Sequence, residues 1–185
     1  MQKQLSRALE RGASGSGAFE QPRLPIFPRA IKECTTADSS PYLCSVDELT
    51  RRYGFNPHRL HLIDQLASFA GQSYDVGVKI GALLIGGSFL DQSIDQPRDI
   101  DCLVYYRIDA QADAVDAIIS RWNALRRGFP LDVKLCPTDA GPLTIIKRSI
   151  FFSNLFSIDK ATLVLARGTI LVELPNEKFD NEINL

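Results

Sequence analysis

Two short apolar runs, Val78–Ile85 and Ile100–Tyr106, frame the most constraining feature of this chain. Gly86-Gly87-Ser88 closes the first run, and Asp99-Ile100-Asp101 opens the second. Runs this short, bounded by glycines and acids, read as buried strands. Side chains on a strand alternate between faces, so Asp99 and Asp101 share one face while Ile100, Cys102 and Val104 enter the core on the other. Two carboxylates side by side repel unless a cation lies between them, and the pattern therefore asks for a divalent metal. Mg²⁺ suits it, because a hard cation takes oxygen ligands and leaves room for substrate phosphates.

Gly87-Ser88 follows a strand and is expected to open a short helix. Glycine there lets the backbone approach a phosphate closely, while the serine hydroxyl and free helix-start amides supply donors. A third acid, Asp132, comes 31 positions after Asp101 in Leu131-Asp132-Val133-Lys134-Leu135. Alternation sends Leu131, Val133 and Leu135 to the core and Asp132 to the opposite face. Three carboxylates from two neighbouring strands can hold two Mg²⁺ (or Mn²⁺) ions about 4 Å apart.

The remaining elements follow from capping and periodicity. Ser45-Val46-Asp47-Glu48 has capping-box spacing, and Asn56-Pro57 places a cap before a proline at the first helical position. Leu60, Ile63, Leu66, Ala67 and Ala70 mark an apolar stripe on the helix begun at Asn56. Gln111–Arg127 is the clearest helix, with Val115, Ile118, Ile119, Trp122 and Leu125 on one side. Leu131–Cys136 is a third strand, Ala140–Phe156 a helix, and Thr162–Leu174 two strands meeting near Arg167-Gly168. Helices alternating with a few strands of mixed order predict an α+β fold with one open sheet. Residues 1–23 contain Gly12-Ala13-Ser14-Gly15-Ser16-Gly17 and read as a flexible N-terminal tail, with residues 24–185 as the folded domain. Pro22–Pro41 is expected to run over the surface as extended chain.

Composition narrows function. The 185 residues carry 21 Lys+Arg against 22 Asp+Glu, a net charge of −1, which argues against general coating of nucleic acid. No apolar run approaches the roughly 20 residues that span a bilayer. Cys34, Cys44, Cys102 and Cys136 form no C-x-x-C pair, and with no signal peptide they read as free thiols of a cytoplasmic protein. His58, His61 and Asp64 form a helical row that could bind metal, but solvated or partly packed histidines are the simpler reading. Asp91 and Asp95 read as surface acids or a helix cap, Lys134 as a salt-bridge partner, and Trp122 as core. Arg121, Arg126 and Arg127 read as a solvated helix face.

Taken in order, Ile85, Gly86-Gly87-Ser88, Asp99-Ile100-Asp101-Cys102 and Asp132 resemble the DNA polymerase β-like nucleotidyltransferase superfamily. The resemblance spans residues of about 78 to 136, and the short chain looks like the minimal nucleotidyltransferases of bacteria. It implies a nucleotidyltransferase-type fold, with a small mixed sheet and helices packed mainly on one face. It implies Mg²⁺- or Mn²⁺-dependent transfer of a nucleoside monophosphate, AMP first, from a nucleoside triphosphate to a hydroxyl acceptor. Asp99, Asp101 and Asp132 would be the metal-binding and catalytic residues, and Gly86, Gly87 and Ser88 the nucleotide-binding ones. The acceptor could be a partner protein or a nucleic-acid end in a toxin-antitoxin or defence setting. One alternative is a non-catalytic, antitoxin-like interaction module that keeps the fold, and another is antibiotic modification.

Overall fold

The computed structural model describes residues 39–160, 162–165 and 167–174. The expected tail at 1–23 and Cys34 lie outside the described residues, as does nearly all of the extended stretch 22–41. In chain order the elements are β1 (Tyr42–Cys44), α1 (Val46–Tyr53), α2 (Pro57–Asp75), β2 (Val78–Gly86), β3 (Ile100–Ile108), α3 (Ala112–Leu125), β4 (Leu131–Pro137), α4 (Pro142–Ser157) and β5 (Ile170–Glu173). Single 3-10 turns at Gly87–Leu90 and Arg126–Gly128 follow β2 and α3. Five strands form one open mixed sheet in the order β1-β5-β2-β3-β4. β1 and β5 run parallel, as do β3 and β4, while β2 is antiparallel to both its neighbours. This is an α+β fold.

Local chemistry starts the helices where capping predicts. The Ser45 side chain accepts from the Glu48 amide at 3.1 Å, although the Glu48 carboxylate turns to Arg52 instead of closing the box. Asn56 accepts from the Arg59 amide at 2.9 Å, with Pro57 at the first helical position. At α4, Pro142 follows Gly141, whose φ of +84° suits glycine.

The larger core lies between the sheet and α1–α3. Phe69 of α2 stacks on Trp122 of α3 with ring centroids 6.2 Å apart, and the indole N–H donates to Ser73 Oγ at 2.8 Å. Ile100, Cys102 and Val104 point into this core. The opposite sheet face holds a smaller cluster of Leu84, Leu103, Cys136 and Phe156 beneath α4. Among the described residues three helices thus share one face, and α4 covers the face that carries the acids.

Four expectations change. Leu62, Ile63, Leu66 and Phe69 are the buried apolar residues of α2, while Leu60 and Ala67 face outward. Bulky Leu62 and Phe69 take the core positions in place of Leu60 and Ala67, and Ala70 packs at the edge of the core. Of Thr162–Leu174 only Ile170–Glu173 is a strand. Asp159 turns the earlier part back on itself by accepting from the Thr162 amide and hydroxyl, leaving a single bridge between Leu165 and Ile158. β1 was not foreseen, because three residues beside a proline carry no readable period. Asp91 is buried, not a surface acid, for the reason given below.

Candidate functional site

The site lies at one end of the two central strands and is built by register. β2 ends at Gly86, whose partner on β3 is Asp101, and Asp101 in turn pairs with Asp132 on β4. Alternation puts Asp101 and Asp132 side by side on the α4 face of a parallel ladder, and Asp99 precedes β3 in the same phase. The strand pattern had placed each acid on a face. The parallel β3–β4 pairing makes the two acids neighbours.

Gly87 comes next, with φ +70°. That left-handed conformation suits glycine, and a Cβ here would collide with the Asp101 carboxylate. The backbone therefore closes on the acid as only glycine allows. Gly86 is also tight, since a Cβ would run into Phe156 of α4. The short helix expected at Gly87-Ser88 is a single 3-10 turn, Gly87–Leu90, with the Asp91 amide bonded to the Ser88 carbonyl at 3.1 Å.

Electrostatics distinguishes the three acids. Burial, then the charges of Asp99 and Asp132, push the Asp101 pKa up to about 6, with Lys160 and Lys134 pulling the other way. Asp132 accepts from Lys134 Nζ at 2.7 Å, so the expected salt bridge is present. Asp99 lies 3.3 Å from the exposed Arg98 guanidinium. No hydrogen bond or ion pair to the Asp101 side chain is found among the described residues. No group of three His, Cys, Asp or Glu forms a ready metal cage among them either. In donor chemistry the set nonetheless fits a hard cation: it is all oxygen, and its central member carries unfavourable charge that a cation would relieve.

Residues 22–173 match the model of the Family of unknown function (DUF6932). The chain belongs to DUF6932. No curated protein and no solved structure matches it.

In this DUF6932 chain two arginines that sequence reading passed over hold the site's loop. Arg59 is fully buried and donates to the carbonyls of Phe89 at 2.8 Å, Asp91 at 2.7 Å and Ile94 at 2.8 Å. Its guanidinium also lies 4.6 Å from the Phe55 ring centroid and 5.1 Å from that of Phe89. Desolvation lowers its pKa, and Tyr53 and Asp91 oppose that shift. The available signal was phase: Arg59 lies three and four residues before Leu62 and Ile63, on the buried stripe of α2. Arg167 bridges Asp91 at 3.2 Å and Asp159 at 3.3 Å, tying the loop after the 3-10 turn to the segment that follows α4. Long-range pairing of this kind leaves no sequence period.

The helical row does not assemble. His58 Nε2 is bonded to the Pro97 carbonyl at 2.8 Å, and His61 and Asp64 are exposed. Cys44, Cys102 and Cys136 are free and buried, as expected. No helix of the described residues is long and apolar enough to cross a membrane.

Proposed function

We propose that this chain is a divalent-metal-dependent nucleotidyltransferase of the DNA polymerase β-like type. It would move a nucleoside monophosphate, AMP first among the candidates, from a nucleoside triphosphate to a hydroxyl acceptor. The observation that carries the reading is the register match of Asp101 with Asp132, beside a Gly87 where a Cβ would meet the Asp101 carboxylate.

Asp99 and Asp101 would hold the cation, and Asp132 would share it on the acceptor side. A bound Mg²⁺ or Mn²⁺ supplies positive charge against the triphosphate and lowers the pKa of an acceptor hydroxyl. The backbone amides of Gly87 and Ser88 and the Ser88 hydroxyl donate to the β and γ phosphates. The acceptor oxygen bonds to the α phosphorus, the bond from that phosphorus to the bridging oxygen breaks, and pyrophosphate leaves. Asp132 takes the acceptor's proton once Lys134 releases it, and Lys134 and Lys160 offset the charge of the departing pyrophosphate.

The pairing of Asp132 with Lys134 and of Asp99 with Arg98 favours one other reading, a non-catalytic module that keeps the fold and binds a partner. Calorimetry with ATP, GTP, CTP and UTP, with Mg²⁺ or with EDTA, separates the two. Binding that needs metal and disappears in Asp101→Asn is expected. Equal binding in EDTA sinks the metal mechanism. Mass gain of protein, nucleic-acid and aminoglycoside acceptors incubated with the bound nucleotide then identifies the acceptor class.

A further inference from the structure

Helix α4 buries one side on the sheet and leaves the other without cover. Leu143 is 82% exposed, Ile146 53%, Ile150 59%, Phe151 58% and Leu155 45%. At on the order of 100 Å² each, these five leave roughly 500 Å² of apolar surface, near the upper end of what a monomer shows. Paired with a like face, these five bury roughly 1,000 Å² in all, about what a specific interface needs. Leu163, Val164 and Leu165, between 50% and 78% exposed, follow the helix end.

We infer that this face is covered by α4 of a second copy of the chain. The helix matches itself when run antiparallel about a two-fold axis between Ile150 and Phe151. Ile150 then faces Phe151 of the second copy at the centre. Lys147, an exposed residue in the middle of the apolar face, faces Asn154 of the second copy, and the pair occurs twice by symmetry. The ammonium donates to the amide oxygen, so the polar residue is answered and not stranded in apolar surroundings. Such polar pairs within an apolar helix contact also fix register, because sliding one helix leaves the lysine against Ile or Phe. Leu143, Ile146 and Leu155 flank the centre. The interface uses none of the three acids and stands or falls apart from metal binding.

Sedimentation equilibrium of the full chain tests the inference. The expected mass at about 100 μM is twice the 20.5 kDa of one chain. Ile150→Asp should give a monomer with unchanged circular dichroism, since the residue is on the surface. Asn154→Asp should tighten self-association about fivefold by giving Lys147 a carboxylate, and Asn154→Lys should weaken it by a similar factor. A 20.5 kDa species at that concentration, or a dimer indifferent to Ile150→Asp, overturns the proposal. Equal dissociation constants for Asn154→Asp and Asn154→Lys overturn the antiparallel register.

Discussion

Two groups of carboxylates in this fold have opposite electrostatic character. Asp91 and Asp159 share the Arg167 guanidinium, and all three side chains are at most 13% exposed. Asp99, Asp101 and Asp132 gather on a strand face where the central acid has no ion partner, and its pKa is pushed up to about 6. The first group is held by one buried guanidinium and ties two loops together. The second holds its central acid half-buried beside two other acids and without an ion partner, which costs stability and leaves a demand for an external cation. Unfavourable charge that the fold maintains is a stronger pointer to function than charge that the fold satisfies.

The largest effect should come from removing the shared cation. Arg167→Met removes the one cation that these two buried carboxylates share and should destabilise the protein by about 3 kcal/mol in urea unfolding at pH 7. A loss under 1 kcal/mol would mean that water already reaches Asp91 and Asp159, erasing the contrast.

Asp101→Asn should act in the opposite direction. The fold retains the Asp101 proton up to about pH 6, whereas the unfolded chain loses it near 3.8. Native protein therefore binds more protons across that window, and the acid's contribution to stability falls as pH rises through it. The variant should be more stable than wild type by about 2 kcal/mol at pH 7, with the gain vanishing by about pH 4. A destabilised variant at pH 7 would place Asp101 among the satisfied acids. The same titration predicts that Mg²⁺ affinity of the wild type weakens as pH drops below about 6, measured calorimetrically.

Gly87→Ala should cost about 1–2 kcal/mol, from a positive φ and from contact with the Asp101 carboxylate. In an Asp101→Ala background the penalty should shrink, because only the backbone part remains. Equal penalties in both backgrounds would show that Gly87 and Asp101 are not in contact.

Lys134→Met should have the smallest effect on stability, within about 0.5 kcal/mol, because both partners of its ion pair are more than a third exposed. It should nonetheless raise the Asp101 pKa above its present value, since Lys134 is one of the two cations holding it down. Carbon-detected titration of the carboxyl resonances reads that shift. No movement would separate Lys134 from the site.

Much of the site was legible from short-range pattern. The Gly-Gly-Ser and Asp-x-Asp spacing placed a tight turn and two acids on one strand face, and the β2, β3 and β4 assignments match the structure closely. The stripe of α2 holds at Ile63, Leu66 and Ala70, but Leu62 and Phe69, not Leu60 and Ala67, complete it, because larger side chains fill the core. The two strands expected over Thr162–Leu174 reduced to β5, since Asp159 and Arg167 bend the first part by side-chain bonds that a hydrophobicity pattern does not record.

The sequence by itself determined what depends on neighbours within a turn or a pleat. Ser45 and Asn56 cap because their side chains reach amides three residues on, and Asp101 opposes Cys102 because strand side chains alternate. Only the tertiary structure decided that Asp132 is the neighbour of Asp101, that Arg59 reaches the loop carbonyls 30 to 35 residues away, and that α4 lies on the face with the acids. Those facts follow from which strands pair and in what register. Pairing is settled by total burial across the sheet, a sum over distant residues that no local window of the chain contains.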